Sequence, residues 1–589
     1  MNFQFNTKKK IQKCRNFVQS LNAKISTNKE ILIWFKELCE YFVSLINLIV
    51  ENRLKLKKHQ IETLLLHLKQ LSTLLSLFIN IFVRESEVKL VLTEARNCTI
   101  KQLLYCLDAV EDSLTNDNKN ETTANFIDWM DKSLDKIAEM HEANGHEMQI
   151  YKEAKLVIEE VLCHAMSIAQ VALPEDCKML KGSSQSVLNS MESLITEILK
   201  FEPNKAMVKL FTDNCVDRLC SLETKVNTAV LRLSLHVFSD YTSTFDQIHK
   251  FCLKPKNKNQ MDTLDFLVAN FDLHVDRLMQ IGLFAVSVTS PKERKISIKS
   301  CLASLEGLES ELVPAFTTVL LDSSIHNINF TLLLKNHWLQ EAKSLQQLIF
   351  LIIDPLAFCQ VIYDENKQIL EHISEIAKNG INMKVVEPFV KNANVLKEFL
   401  PIAIKESEKG KIDCKELNIS FTNFKIVFYE LKAACKVFLT ENNSTNIEIQ
   451  KIMKRCKILM SLIKNIRSHF VHQDFKFKTE ITSCSDDDIP KTNKFMDHLV
   501  NRGSEIIKNR SILYKSSNKI DFSNSAAQKI QILKGQKNKS IPLSKLVHLK
   551  KFSVWNAKDN LNSTLDSHIE ISNILKDLTN LSNSLISNK

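Results

Sequence analysis

Glycine and proline are nearly missing from this chain, and that shortage limits its fold more than any other feature. The 589 residues include 8 Gly and 10 Pro, where average usage would give roughly 41 and 29. Sandwiches, barrels and doubly wound sheets need Gly or Asn-Gly punctuation at every turn, and this chain cannot supply it. Long helices joined by polar loops remain. With 44% hydrophobic and 25% charged residues, the balance is that of a packed globular chain, long enough for about four domains.

Spacing supports helices. Ile61, Leu64, Leu68, Leu71, Leu75, Phe78 and Phe82 recur at steps of three and four, which stacks them as one stripe that needs a partner helix to cover it. The same pattern returns at Leu188, Met191, Ile195 and Ile198, and at Cys301, Leu302, Leu305, Leu308 and Leu312. Polar clusters mark the expected linkers: Ser113 to Asn125, Pro174 to Ser184, Leu253 to Asp262, Lys405 to Ile412, Thr440 to Asn446 and Thr482 to Asn493. Between Pro203 and Pro255 there is no Gly or Pro. That span fits one helix of about 70 Å or two helices broken near Ser239 to Thr244. The expected fold is all-α, built of serial up-and-down bundles: an N-terminal bundle over 1–115, a second over 125–254, a middle bundle over 260–404, further helices over 411–481, and a basic tail over 490–589. Apolar density falls from Ser516 to Lys545, so that part of the tail is expected to be weakly ordered. Asn493 to Lys515 reads as a helix, and a last amphipathic helix is expected near Leu561 to Leu585.

Charge is unevenly spread. The chain carries 78 Lys and Arg against 68 Asp and Glu, yet residues 451 to 589 hold 25 basic and 12 acidic residues, so a basic end follows a near-neutral body. Candidate contacts to a polyanion are Lys508, Arg510, Lys515, Lys519, Lys529, Lys534, Lys537, Lys539, Lys545, Lys550 and Lys551, with Trp555 among them in a stretch where basic and aromatic residues interleave. An actin filament, an acidic membrane surface and nucleic acid all fit that composition, and so does a helix packing its aromatics while its lysines face water. Trp34, Trp129 and Trp338 sit in apolar helical contexts and are expected to be core anchors.

The 15 cysteines are scattered singly with no CxxC, which reads as reduced core thiols in a cytosolic protein. The lysines near Met1 have no apolar segment behind them, so no secretory signal is expected. The most apolar run, Leu71 to Val83, lies between Lys69 and Arg84, short of the roughly 20 residues a bilayer span needs, and no membrane crossing is expected. The glycines are too far apart for a GxGxxG or GxxxxGK phosphate cradle. His141, Glu142 and His146 fail the zinc-protease spacing, because the two histidines are five apart, about 140° around a helix, with Gly145 between them. No Cys or acid at metal spacing joins His469 and His472 except Asp474, and Asp486 to Asp488 lack the alternating oxygens of a calcium loop. No catalytic constellation, cofactor, metal or small-molecule substrate is therefore expected.

One region goes beyond generic helices. Met279-Gln-Ile-Gly-Leu-Phe-Ala-Val-Ser-Val-Thr-Ser-Pro-Lys-Glu-Arg294 is followed by Ser304-Leu-Glu-Gly-Leu-Glu-Ser-Glu-Leu-Val-Pro-Ala315, then by Leu334 to Leu345 with its Lys335-x-x-Trp338, then by Ile353-Asp-Pro-Leu-Ala-Phe358. In this order the motifs resemble the middle region of the α-catenin and vinculin superfamily, and the chain as a whole looks most like its insect serendipity α branch. The resemblance implies bundles that share long helices. It also implies an actin-associated protein of the cell cortex, of the kind used when plasma membrane invaginates to cellularise the early embryo. On that reading the chain is a non-catalytic adaptor whose partners are F-actin or actin-associated proteins and acidic inner-leaflet lipids. The alternative is a nucleic-acid-binding helical protein using the basic tail. The chain departs from the pattern in lacking a traceable five-helix actin-binding tail and an N-terminal β-catenin-binding signature.

Overall fold

A computed structural model of the chain describes residues 2–21, 27–115, 126–142, 148–200, 202–253, 260–289, 292–376, 386–409, 414–440 and 446–471. Among the described residues there are sixteen α-helices and no β-strand. The expected tail helices, at 493–515 and 561–585, lie outside them.

Four helices, α1 (Asn2–Gln19), α2 (Asn28–Glu51), α3 (Lys58–Val88) and α4 (Thr93–Thr115), enclose one core. Local chemistry sets their ends. Thr27 caps α2 with a capping box, its hydroxyl accepting from the Glu30 amide while the Glu30 carboxylate accepts from the Thr27 amide. α3 ends where Lys89 turns left-handed, at φ 55°. Leu64, Leu68, Leu71, Leu75, Phe78 and Phe82 of the predicted stripe are all buried, with Ile61 packed at their edge. Gln60–Val88 contains an 18-residue window with a mean hydropathy of 1.4, long and apolar enough to cross a membrane, a property hidden from a search for uninterrupted apolar runs; 67% of that window is buried in the bundle.

The next four helices, α5 (Phe126–Glu142), α6 (Met148–Val171), α7 (Pro174–Ile198) and α8 (Lys205–Ser239), pack in sequence, with α5 closing on α8. The stretch Pro174 to Ser184, expected as a linker, is instead the start of α7. Proline is tolerated at the first helical position, where no amide partner is needed, and Glu175 and Asp176 suit the positive helix start. Similarly, α14 runs through Lys409, into the expected linker at 405–412. The glycine-free span is broken. Asn204 caps α8, which ends at Ser239, and α9 (Ser243–Cys252) begins after a turn in which the Ser243 amide bonds the Asp240 carbonyl. Asp240 is held there by Lys391, 2.7 Å away.

Helices α9, α10 (Gln260–Val288), α11 (Lys292–Leu321) and α12 (Ile325–Phe350) follow, and then α13 (Pro355–Ile376), α14 (Glu387–Lys409), α15 (Lys415–Thr440) and α16 (Asn446–Val471). In the last set α13 packs on both α14 and α16, and α15 lies between α14 and α16. α8 serves more than its own bundle, because it also meets α10, α13 and α14. One continuous core runs from Phe126 to Phe470 through that shared helix. Gly282 permits the close approach of α10 to α11, since a Cβ there would overlap the Leu302 side chain. Gly282→Ala would gain about 1 kcal/mol of helix propensity, yet a net loss of about 1–2 kcal/mol is expected from overpacking, readable as a lower urea midpoint.

Candidate functional site

The motif-bearing helices pack around a buried aromatic cluster. Trp338 is fully buried on α12, edge-on to Phe245 at 4.6 Å and Phe271 at 5.7 Å between ring centroids. Lys335, one turn earlier, is nearly buried and reaches Asp246 at 2.7 Å, which ties α12 to α9. Asp354 starts α13 by accepting the Leu356 amide at 2.8 Å, and this turns Phe358 into contact with Phe350 and Phe399. A second tie runs between bundles. Arg232 of α8 holds Asp176 of α7 at 2.7 Å and Glu365 of α13 at 2.6 Å, with Glu175 at its edge. Burial pushes the Asp176 carboxyl up, although Arg232 pulls the other way.

α11 and α12 also carry the N-terminal bundle. Ile296 and Leu333 reach into its core, and around them stand polar contacts: Lys69 to Ser297 at 2.5 Å, Arg84 to Asn329 at 2.8 Å and Lys101 to Glu311 at 3.3 Å. Beside this seam α3 and α12 leave a cleft of about 370 Å³ lined by Asn80, Val83, Arg84, Glu87, Leu332, Leu333 and Asn336. The apolar contacts across the seam are Ile296, Leu333 and the half-buried Phe330, which packs on both cores, set among polar contacts, so the seam is a junction between two separate cores.

Glu341 lies at that junction. Burial raises its carboxyl to about 7, against the pull of Ser304, Lys69 and Cys301. The fold therefore keeps a proton that the unfolded chain releases above about 4.5, so this group lowers stability as pH rises from about 4.5 to about 7, by about 3 kcal/mol in all, and adds no slope above that. His274 and His337, held neutral by burial with values lowered to about 4, act in the opposite direction, so only the difference between variant and parent isolates Glu341. Glu341→Gln is expected to be neutral near pH 4.5 and stabilising by up to about 3 kcal/mol at pH 8, measured by urea unfolding at both pH values. An unchanged difference across pH would contradict this assignment.

Among the described residues no three His, Cys, Asp or Glu side chains gather at metal-binding distance. Burial pushes thiols such as Cys14, Cys39, Cys106 and Cys215 up to about 12, where thiolate is scarce. His469 is half-buried, its ring nitrogens near Ser420 at 3.1 Å and Glu416 at 3.9 Å. His472 and the side chains of His141, Glu142 and His146 are outside the described residues, as are all the predicted contact residues from Lys508 through Trp555. The signal for Glu341 in the sequence is its spacing: Trp338, Glu341, Ala342 and Leu345 fall at i, i+3, i+4 and i+7, which puts a carboxylate on an apolar stripe.

The family model for the serendipity locus alpha protein (SRY-A) matches residues 8–579. The chain belongs to the serendipity locus alpha family. It is 27% identical to serendipity locus protein alpha of Drosophila virilis over 58% of this chain and 62% of that protein. It is 26% identical to the Drosophila subobscura protein over 64% and 67%. The chain thus spans less than two thirds of the first of these relatives. A vinculin homologue from a sponge superposes over 99% of this chain and 81% of its own, with a TM-score of 0.57 and 13% identity, so this family member has the serial helical-bundle fold of vinculin.

Proposed function

We propose that this chain is a non-catalytic adaptor that links the actin cytoskeleton to the cytoplasmic face of the plasma membrane. It works in actin organisation as membrane invaginates to cellularise the early insect embryo. The observation that carries this reading is membership of the serendipity locus alpha family along most of the chain, joined to a vinculin-like arrangement in which α8 connects several bundles. The sponge vinculin homologue with the same fold is described as part of cell adhesions. The partners are F-actin or actin-associated proteins and acidic inner-leaflet lipids, and the chain resides at the cortical cytoskeleton. Within this proposal the bundles at 1–115, 125–254, 260–404 and 411–481 are the partner-binding units, with α13 and α14 bridging the last two. The basic 490–589 tail, through Lys508 to Lys551 and Trp555, supplies attraction to the filament or the membrane.

The test is the position of a fluorescent fusion of the full chain in early embryos. Enrichment along the invaginating membrane, lost when actin is depolymerised, is expected. A nuclear signal indifferent to actin would favour a nucleic-acid-binding protein instead.

A further inference from the structure

The α15–α16 hairpin presents a surface that neither the packing nor the family membership accounts for. The two helices hold ten basic residues against three acids, Glu416, Glu430 and Glu448. The arginines are occupied, Arg467 by Gln360 of α13 and Arg455 by Glu430 at 3.6 Å. Lys451, Lys454, Lys457 and Lys464 are not: all four are exposed along α16, with no ion-pair partner among the described residues. At 100° per residue they fall within about 140° of arc, on the side turned away from the core.

Between these lysines and those of α15 lies apolar surface that the fold leaves in water. Ile419 is 62% exposed, Ile426 54%, Tyr429 54% and Ile458 41%. The contacts Glu430–Arg455 and Ser420–His469 fix an antiparallel register that brings Ile426 level with Ile458. Exposed Lys432 and Lys436 border the far side. The result is an exposed ridge with aliphatic residues along its seam and ammonium groups on both flanks.

We infer that this ridge docks on a bilayer surface rich in acidic phospholipids, with the isoleucines entering the headgroup layer and the lysines meeting the headgroup phosphates and carboxylates. Aliphatic residues flanked by lysines on one face are the pattern of interfacial attachment. Charge argues against the chain's own C-terminal part as the cover, because residues 472–589 hold 19 basic and 12 acidic residues and repel the ridge. A second copy of the hairpin is repelled for the same reason. The inference rests on the membrane half of the adaptor reading and moves its contact from the tail to a folded surface.

The experiment uses the full chain with phosphatidylcholine vesicles, with and without phosphatidylserine, and F-actin in a parallel arm. Two variants are compared with the parent: Lys451→Gln with Lys454→Gln and Lys457→Gln, and Ile426→Ser with Ile458→Ser. All five positions are exposed, so both variants keep the helices, checked by circular dichroism. Each lysine near an anionic surface is worth about fivefold in binding, so the triple variant is expected to lose on the order of 100-fold in partitioning to acidic vesicles, and the double variant to lose it too. Pelleting with F-actin stays as in the parent. Unchanged vesicle binding in both variants overturns the inference and leaves the adaptor reading standing on the tail. Loss of actin pelleting with intact vesicle binding also overturns it, and assigns the ridge to the filament. Loss of vesicle binding in a parent that never pelleted with actin keeps the inference and removes the actin half of the function.

Discussion

Replacing Arg96 by alanine is expected to destabilise the N-terminal bundle by about 3–5 kcal/mol. Arg96 and Glu85 are an ion pair with side chains 3% and 5% exposed, and the guanidinium donates twice, from Nε to Oε1 at 2.8 Å and from Nη2 to Oε2 at 2.6 Å. Oε1 also accepts the Leu92 amide at 2.7 Å. The carboxylate thus joins the end of α3 to the start of α4 just where Lys89 reverses the chain. The guanidinium also lies 5.4 Å from the centre of the Phe82 ring. Removing the arginine leaves a buried carboxylate whose charge has lost its counterpart, and that loss exceeds what the intact pair contributes. The double change Glu85→Leu with Arg96→Met is expected to recover most of the stability, because the penalty comes from the orphaned charge. Amide hydrogen exchange in α3 and α4 should quicken by two to three orders of magnitude in the single variant and return towards the parent in the double one. Equal exchange in the single variant and the parent would show that water reaches Glu85.

Trp338→Ala should cost about as much, 3–5 kcal/mol, by leaving a cavity among Phe245, Phe271 and His274 that four helices cannot close. Three of those helices, α9, α10 and α12, donate aromatic rings to the contact, with Phe316 of α11 behind Phe245 at 6.2 Å. Among the described residues the indole Nε1 has no hydrogen-bond partner. What Trp338 supplies is therefore volume and ring contact, and Trp338→Phe should lose only about 1–2 kcal/mol. Urea unfolding followed by the fluorescence of the remaining tryptophans separates the two. A phenylalanine variant as unstable as the alanine one would mean that the indole nitrogen matters after all.

How much of this was readable from the sequence depends on the length over which the information is spread. The α3 stripe and the stripe from Cys301 to Leu312 are local, repeat over several turns, and lie buried as their spacing requires. Trp34 and Trp338 are core residues, while Trp129 is only partly buried, with Lys132 over its ring at 4.2 Å. The start of α7 is not legible locally because Pro174 punctuates a sequence in two ways, as a breaker and as a first helical residue, and only the packing of Leu180 and Val187 decides between them. The break at Ser239 to Ser243 was one of two open readings, since its anchor Lys391 is 151 residues from Asp240. The seam was not readable at all: Lys69 and Ser297 are 228 residues apart, Arg84 and Asn329 are 245 apart, and nothing local pairs them. Nor does a charge such as Arg96 announce that it is buried when a quarter of the chain is charged. The basic ridge of α15 and α16 lay partly within the basic end noticed from composition, but its exposed isoleucines look like any core stripe until the neighbouring helices are placed.

The most direct test of the adaptor account is co-sedimentation with F-actin, comparing the full chain with a chain ending at Asp488, at low and moderate salt. The account predicts that the full chain pellets with filaments in a salt-sensitive way and that removal of the basic tail abolishes or strongly weakens this. A full chain that stays in the supernatant at low salt would contradict direct coupling to actin.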